Sequence, residues 1–190
     1  MKIKLLMLFL ILFACCFSQK KDEKIENSKS YETESEIYRD RMRELIQEIK
    51  KNTSSDRLLI TQNGNEIYFY NGKLNKDFIN VTDGTTQEAL YYGAKFKLTN
   101  PTPKKENEQL LNWLIPVRKA GKPVFAINYG TGKKARQDLL KKSEQTNFVN
   151  ELMPSFGAEI PNVPIQNFNS NNINLLSDVK NFLLLLDPKK

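Results

Sequence analysis

The chain has 190 residues, 29 Lys and Arg against 22 Asp and Glu, a formal net charge of +7, and no histidine. Without imidazole there is no Ser-His-Asp or Cys-His catalysis, no His-ligated zinc or iron and no switch near neutral pH, so acid-base work falls to carboxylates, Tyr or Lys. The two cysteines, Cys15 and Cys16, stand side by side near the start, which leaves the remainder with no disulfide, no thiol nucleophile and no sulfur ligand for a metal.

Met1 to Lys4 is basic, Leu5 to Phe17 is apolar, and Ser18-Gln19-Lys20-Lys21 turns polar and charged. This layout predicts a secretory leader over residues 1–18 rather than a spanning helix, and with it an exported protein, secreted or held at the cell surface. Two processing routes stay open. Leu12-Phe13-Ala14-Cys15 resembles a bacterial lipobox, which would place a lipid on Cys15 and attach the chain to a membrane, whereas Ser18-Gln19 would end an ordinary signal peptide. Residues 19–30 are charged and poor in apolar side chains, a composition that predicts a flexible tether before a folded domain over 31–190.

Tyr38, Met42, Leu45, Ile46 and Ile49 fall on one helical face, so an amphipathic helix is expected over Glu34 to Lys51. Arg57 to Thr61 follows as a buried strand stopped by Gln62-Asn63-Gly64. Ile67 to Tyr70 fits a short helix or a strand equally well, and Asn71-Gly72 is a turn. Phe78 to Thr82 reads as the second strand, delivering Asp83-Gly84 and then Glu88 beside Tyr91 and Tyr92. An Asp-Gly turn would present Glu88 from the strand end, but Asp83 could equally cap a helix that has Glu88 in its first turn.

Leu110, Leu111, Leu114 and Ile115 predict a helix that Pro116 should kink or end. Val124 to Ile127 is a third strand, ending in Asn128-Tyr129, and another helix is expected from about Gly132 to Gln145. Ala158 to Ile165 reads as a fourth, short strand, and Leu175 to Leu185 as the last helix. The basic residues between Arg118 and Lys142 sit at spacings of solvated helix faces with no aromatic interleaved, which argues against a nucleic-acid groove.

Strands alternating with helices predict an α/β fold with a parallel sheet. Gln62-Asn63, Asp83 with Glu88, and Asn128-Tyr129 then converge on the rim at the carboxyl ends of the strands. Amides, tyrosines and carboxylates without cations suit a polyhydroxylated ligand, since they donate and accept hydrogen bonds and offer ring faces for stacking.

The ordered series Leu59-Ile60-Thr61-Gln62-Asn63-Gly64, Asp83-Gly84-Thr85-Thr86-Gln87-Glu88-Ala89-Leu90-Tyr91-Tyr92-Gly93, Val124 to Tyr129 and Asn181 to Leu185 resembles the second half of the endo-α-1,4-polygalactosaminidase-like glycoside hydrolases, over roughly Tyr31 to Pro188. The resemblance implies about half of a TIM (β/α)8 barrel, an amino-sugar polysaccharide as partner, and hydrolysis by two carboxylates with no cofactor. Glu88 matches the family's general acid/base, and Gln62, Asn63, Asp83, Tyr91, Asn128 and Tyr129 would line the substrate rim. The family's nucleophilic aspartate belongs to a strand before Tyr31, where this sequence carries tether and leader, so a truncated barrel with one half of its active site is the expectation. Half a barrel would also leave sheet edges open to self-association.

Overall fold

The computed structural model describes residues 27–156 and 173–179. The expected leader, the strand expected over 158–165 and most of the expected last helix lie outside these residues. The chain enters on α1 (Asn27–Lys51), so residues 27–30 of the expected tether are helical. Ile46 is buried and Met42 and Ile49 pack beside it, which is the stripe that the apolar spacing implies, whereas Tyr38 and Leu45 are exposed.

β1 (Ile60–Gln62) leads to a 3-10 turn over Asn65–Tyr68 and a hairpin of β2 (Phe69–Tyr70) and β3 (Lys73–Leu74). The stretch 67–70 is thus part turn and part strand. Asn71 and Gly72 at the hairpin tip have φ of 49° and 71°, the left-handed pair that a tight two-residue hairpin turn requires. Next come α2 (Lys76–Ile79), β4 (Gly84–Glu88), α3 (Lys104–Lys119), β5 (Val124–Tyr129), α4 (Lys133–Thr146) and β6 (Val149–Met153).

One expected strand is displaced. Phe78 and Ile79 belong to α2, because Asn75 Oδ1 accepts from the backbone N–H groups of Asp77 and Phe78 and caps a helical turn there. The strand is instead the polar segment Gly84–Glu88, so Asp83 precedes it rather than turning out of one. Among the described residues the sheet also contains β6, which the sequence did not lead one to expect because its region has no clear periodic pattern. α3 runs through Pro116 to Lys119; the proline stands in the last turn and does not stop the helix. At the far end Leu176–Asp178 forms a 3-10 turn.

The main sheet has the order β1-β4-β5-β6 and every neighbouring pair is parallel. Side chains alternate between its faces. On one face Val124, Ala126 and Leu152 join Ile46 of α1, Leu114 and Val117 of α3, and Ala135 and Leu139 of α4 in a single buried cluster. All three long helices therefore cover the same face. The register puts Gly84, Thr86 and Glu88 of β4, Phe125, Ile127 and Tyr129 of β5, and Val149, Glu151 and Met153 of β6 on the other face. Leu176 comes to 3.6 Å from where a Cβ on Gly84 would stand, so it meets that second face near the amino end of β4.

Candidate functional site at the carboxyl edge of the sheet

Glu88 is the last residue of β4, and both its oxygens accept hydrogen bonds from neighbouring strand ends. The Tyr129 hydroxyl donates to Oε1 at 2.8 Å from the end of β5, and Asn63 Nδ2 donates to Oε2 at 3.3 Å from just beyond β1. Asn63 Oδ1 also accepts from the Glu88 backbone N–H at 2.9 Å. Asn63 has φ of 56°, a left-handed conformation that asparagine tolerates better than other side chains, and this directs its amide back across β4. Burial pushes the Tyr129 phenol upward, and the hydrogen bond to Glu88 and its charge push it further, so Tyr129 remains a neutral donor well above physiological pH.

Behind Glu88, on the helix-covered face, runs a buried polar chain. Gln87 Nε2 donates to the Glu88 carbonyl at 2.9 Å, and Asn65 Nδ2 donates to Gln87 Oε1 at 2.9 Å. Thr85 Oγ1 donates to Asn65 Oδ1 at 2.7 Å, Thr61 Oγ1 donates to Thr85 Oγ1 at 2.9 Å, and the Tyr68 hydroxyl lies 2.7 Å from Thr61 and 3.0 Å from Thr82. A buried network whose members are all paired fixes the strand that carries the acid, because slipping one member would strand the rest without partners. These residues carry no signal of their own in the sequence; the Thr85-Thr86-Gln87 run hides a strand behind polar side chains.

Aromatic rings extend the site outward. The Phe156 ring stands 4.5 Å from that of Tyr129, and Phe96 lies 5.9 Å beyond and is 87 % exposed. Phe96 belongs to a loop with left-handed backbone at Lys95, Phe96 and Thr99. The loop is tied to β5 by the Thr99 N–H bonded to the Tyr129 carbonyl at 2.9 Å. Gly93 permits this approach: its φ is 110°, and a Cβ there would meet Tyr129 Cδ2 at 2.8 Å.

Of the residues expected on the rim, Asn63, Glu88 and Tyr129 converge, and Gln62 stands next to them on the face that carries Glu88. Three others are engaged elsewhere. Asp83 is at the amino end of β4, the opposite edge, where Oδ2 accepts from Lys50 Nζ and from the Leu59 N–H, both at 2.7 Å. Asn128 is fully buried, and its Oδ1 accepts from the backbone N–H groups of Tyr91 and Tyr92 at 2.8 and 3.2 Å, which folds the chain over the end of β5. Tyr91 is 7 % exposed and turned toward α4, with Lys142 Nζ 5.0 Å from its ring centre. Its neighbour Tyr92 donates to Asp138 Oδ2 at 2.7 Å.

A cleft of about 700 Å³ also opens on the helical side, between α1, the β2–β3 hairpin and Trp113 of α3. Glu36 pairs there with Arg39 and Arg43, and Asp40 with Arg43, while Glu66 also lines the cleft. No family model matches the chain, and no curated protein matches it. Among the described residues no helix is long and apolar enough to cross a membrane.

A half-buried carboxylate held by a phenol and an amide, with ring faces beside it, can exchange a proton with a bound hydroxyl or acetal oxygen and can hold a sugar ring by stacking.

Proposed function

We propose that this is an exported glycoside-hydrolase-like protein acting on an extracellular amino-sugar polymer of the α-1,4-galactosamine type, with Glu88 as general acid/base. The observation that carries the reading is the position of Glu88, at the carboxyl edge of a parallel sheet with both oxygens engaged by Tyr129 and Asn63. Catalytic groups collect at that edge in β/α folds. We read the sheet as about half of a (β/α)8 wall, because consecutive parallel strands with their helices on one face are how such a wall is wound. The resemblance at Gln62-Asn63-Gly64 and from Asp83 to Gly93 supplies the substrate class.

A second reading, a non-catalytic carbohydrate-binding protein, is favoured by the exposed Phe96 ring next to Phe156 and Tyr129, which suits stacking whether or not a bond is cut. Incubation of the purified protein and its Glu88→Gln variant with de-N-acetylated and N-acetylated galactosamine oligomers separates the two. Cleavage by the natural protein, reduced about 10²- to 10⁴-fold in the variant, is the expected result for acid/base catalysis. Saturable binding with no products from either protein would replace hydrolysis with the binding reading.

A further inference from the structure

Glycoside hydrolysis between two carboxyls needs a partner for Glu88, and the strand register supplies one. Glu88 pairs with Ile127 of β5, and Ile127 pairs with Glu151 of β6. Partners across parallel strands point to the same face, so Glu88 and Glu151 stand level with each other on the face opposite the helices, two strands apart. Two strand spacings put their Cα atoms about 9.5 Å apart, with buried Ile127 as the floor between them. Two glutamate side chains on that spacing reach the roughly 6.5 to 9.5 Å carboxyl separation that leaves room for a water beside a sugar.

Resting on the hydrolase reading above, but with an inverting pair in place of the nucleophile and acid/base that the resemblance implies, we propose that Glu151 is the second catalytic carboxyl, protonating the leaving oxygen while Glu88 takes a proton from the attacking water. The glycosidic C–O bond breaks as the water oxygen bonds to the anomeric carbon from the opposite side. The Glu151 proton goes to the departing sugar oxygen, the water proton goes to Glu88, and exchange with solvent resets both groups. The anomeric configuration inverts. The surroundings suit these roles. Burial pushes the Glu151 carboxyl above its ordinary value, against the lowering effects of its bond from the Leu152 N–H and the charge of Arg136. On Glu88, Tyr129 and Asn63 each donate to one oxygen, which fixes the carboxyl group at the strand end.

The test uses leaving groups of different basicity. Galactosamine oligomers need a protonated leaving oxygen, whereas a dinitrophenyl α-galactosaminide releases a phenolate that needs none. Glu151→Gln is expected to lose about 10²- to 10⁴-fold on oligomers and to stay within about tenfold of the natural protein on the aryl substrate. Glu88→Gln is expected to lose both activities, Glu151→Asp to recover part of the oligomer rate, and the first sugar released to be the β anomer. If the natural protein cleaves oligomers and Glu151→Gln does so equally well, or loses both substrates alike, Glu151 is not the acid and the hydrolase reading stands without it. If the natural protein cleaves neither substrate, both readings fall.

Discussion

Asn63 and Asn128 show how one residue type serves two purposes in this fold. Asn63 reaches the Glu88 carboxylate, whereas Asn128 spends its carbonyl oxygen on the Tyr91 and Tyr92 N–H groups. The difference lies in burial and backbone conformation, which strand-end position in the sequence does not report. Tyr91 and Tyr129 were both expected on the rim, but Tyr129 closes β5 and reaches Glu88, whereas the turn that Asn128 holds directs Tyr91 toward α4. Tyr92 is expected to make the fold sensitive to high pH. Its phenol is pushed up to about 12, first by burial and then by the hydrogen bond to Asp138 and its charge. A phenol with a raised folded value contributes stability that is complete below its ordinary value near 10 and is lost as pH rises toward 12. Urea midpoints of the natural protein should therefore fall more steeply between pH 10 and 12 than those of Tyr92→Phe. Parallel curves through that window would contradict the assignment.

Among the elements, α1 is held by Arg43 as well as by its apolar stripe. Arg43 is 5 % exposed, and its guanidinium donates to the Ile67 carbonyl at 2.7 Å and to the Phe69 carbonyl while pairing with Glu36 and Asp40. The helix is thereby fixed to the turn that carries Asn65 and Tyr68, and so to the polar chain behind Glu88. Arg43→Met keeps the aliphatic bulk but leaves those carbonyls without their donor; it should cost about 3 kcal/mol in urea unfolding, the scale of losing charge-assisted bonds in a buried place. A loss below about 0.5 kcal/mol, the range of ordinary surface substitutions, would show that α1 docks by apolar contact alone. The helices α1, α3 and α4 and the strands β1 and β5 were readable from periodicity and aliphatic runs. β4 was not, because its buried positions are Thr85, Thr86 and Gln87, satisfied by a side-chain network rather than by apolar packing. β6 was missed because Asn150 and Glu151 interrupt its apolar pattern, and that same glutamate is the proposed second acid.

At the scale of the whole molecule, the order β1-β4-β5-β6 gathers the ends of the strands along one edge. That arrangement brings Asn63, Glu88 and Tyr129 together although they are far apart in the chain, and it sends Asp83 to the other edge. Among the described residues β1 and β6 each pair on one side only, so the proposed half-wall has edges that a second copy or another segment could extend. On the proposed function, amino-sugar chains engage the carboxyl edge of this sheet rather than the cleft on the helical side. Titration of the isotope-labelled Glu88→Gln protein with galactosamine oligomers, followed by amide chemical shifts, tests it most directly. Saturable shifts centred on Asn63, Glu88→Gln itself, Phe96 and Tyr129 are the predicted result, and shifts confined to Glu36, Tyr70 and Trp113, or none at any of these positions, would contradict it.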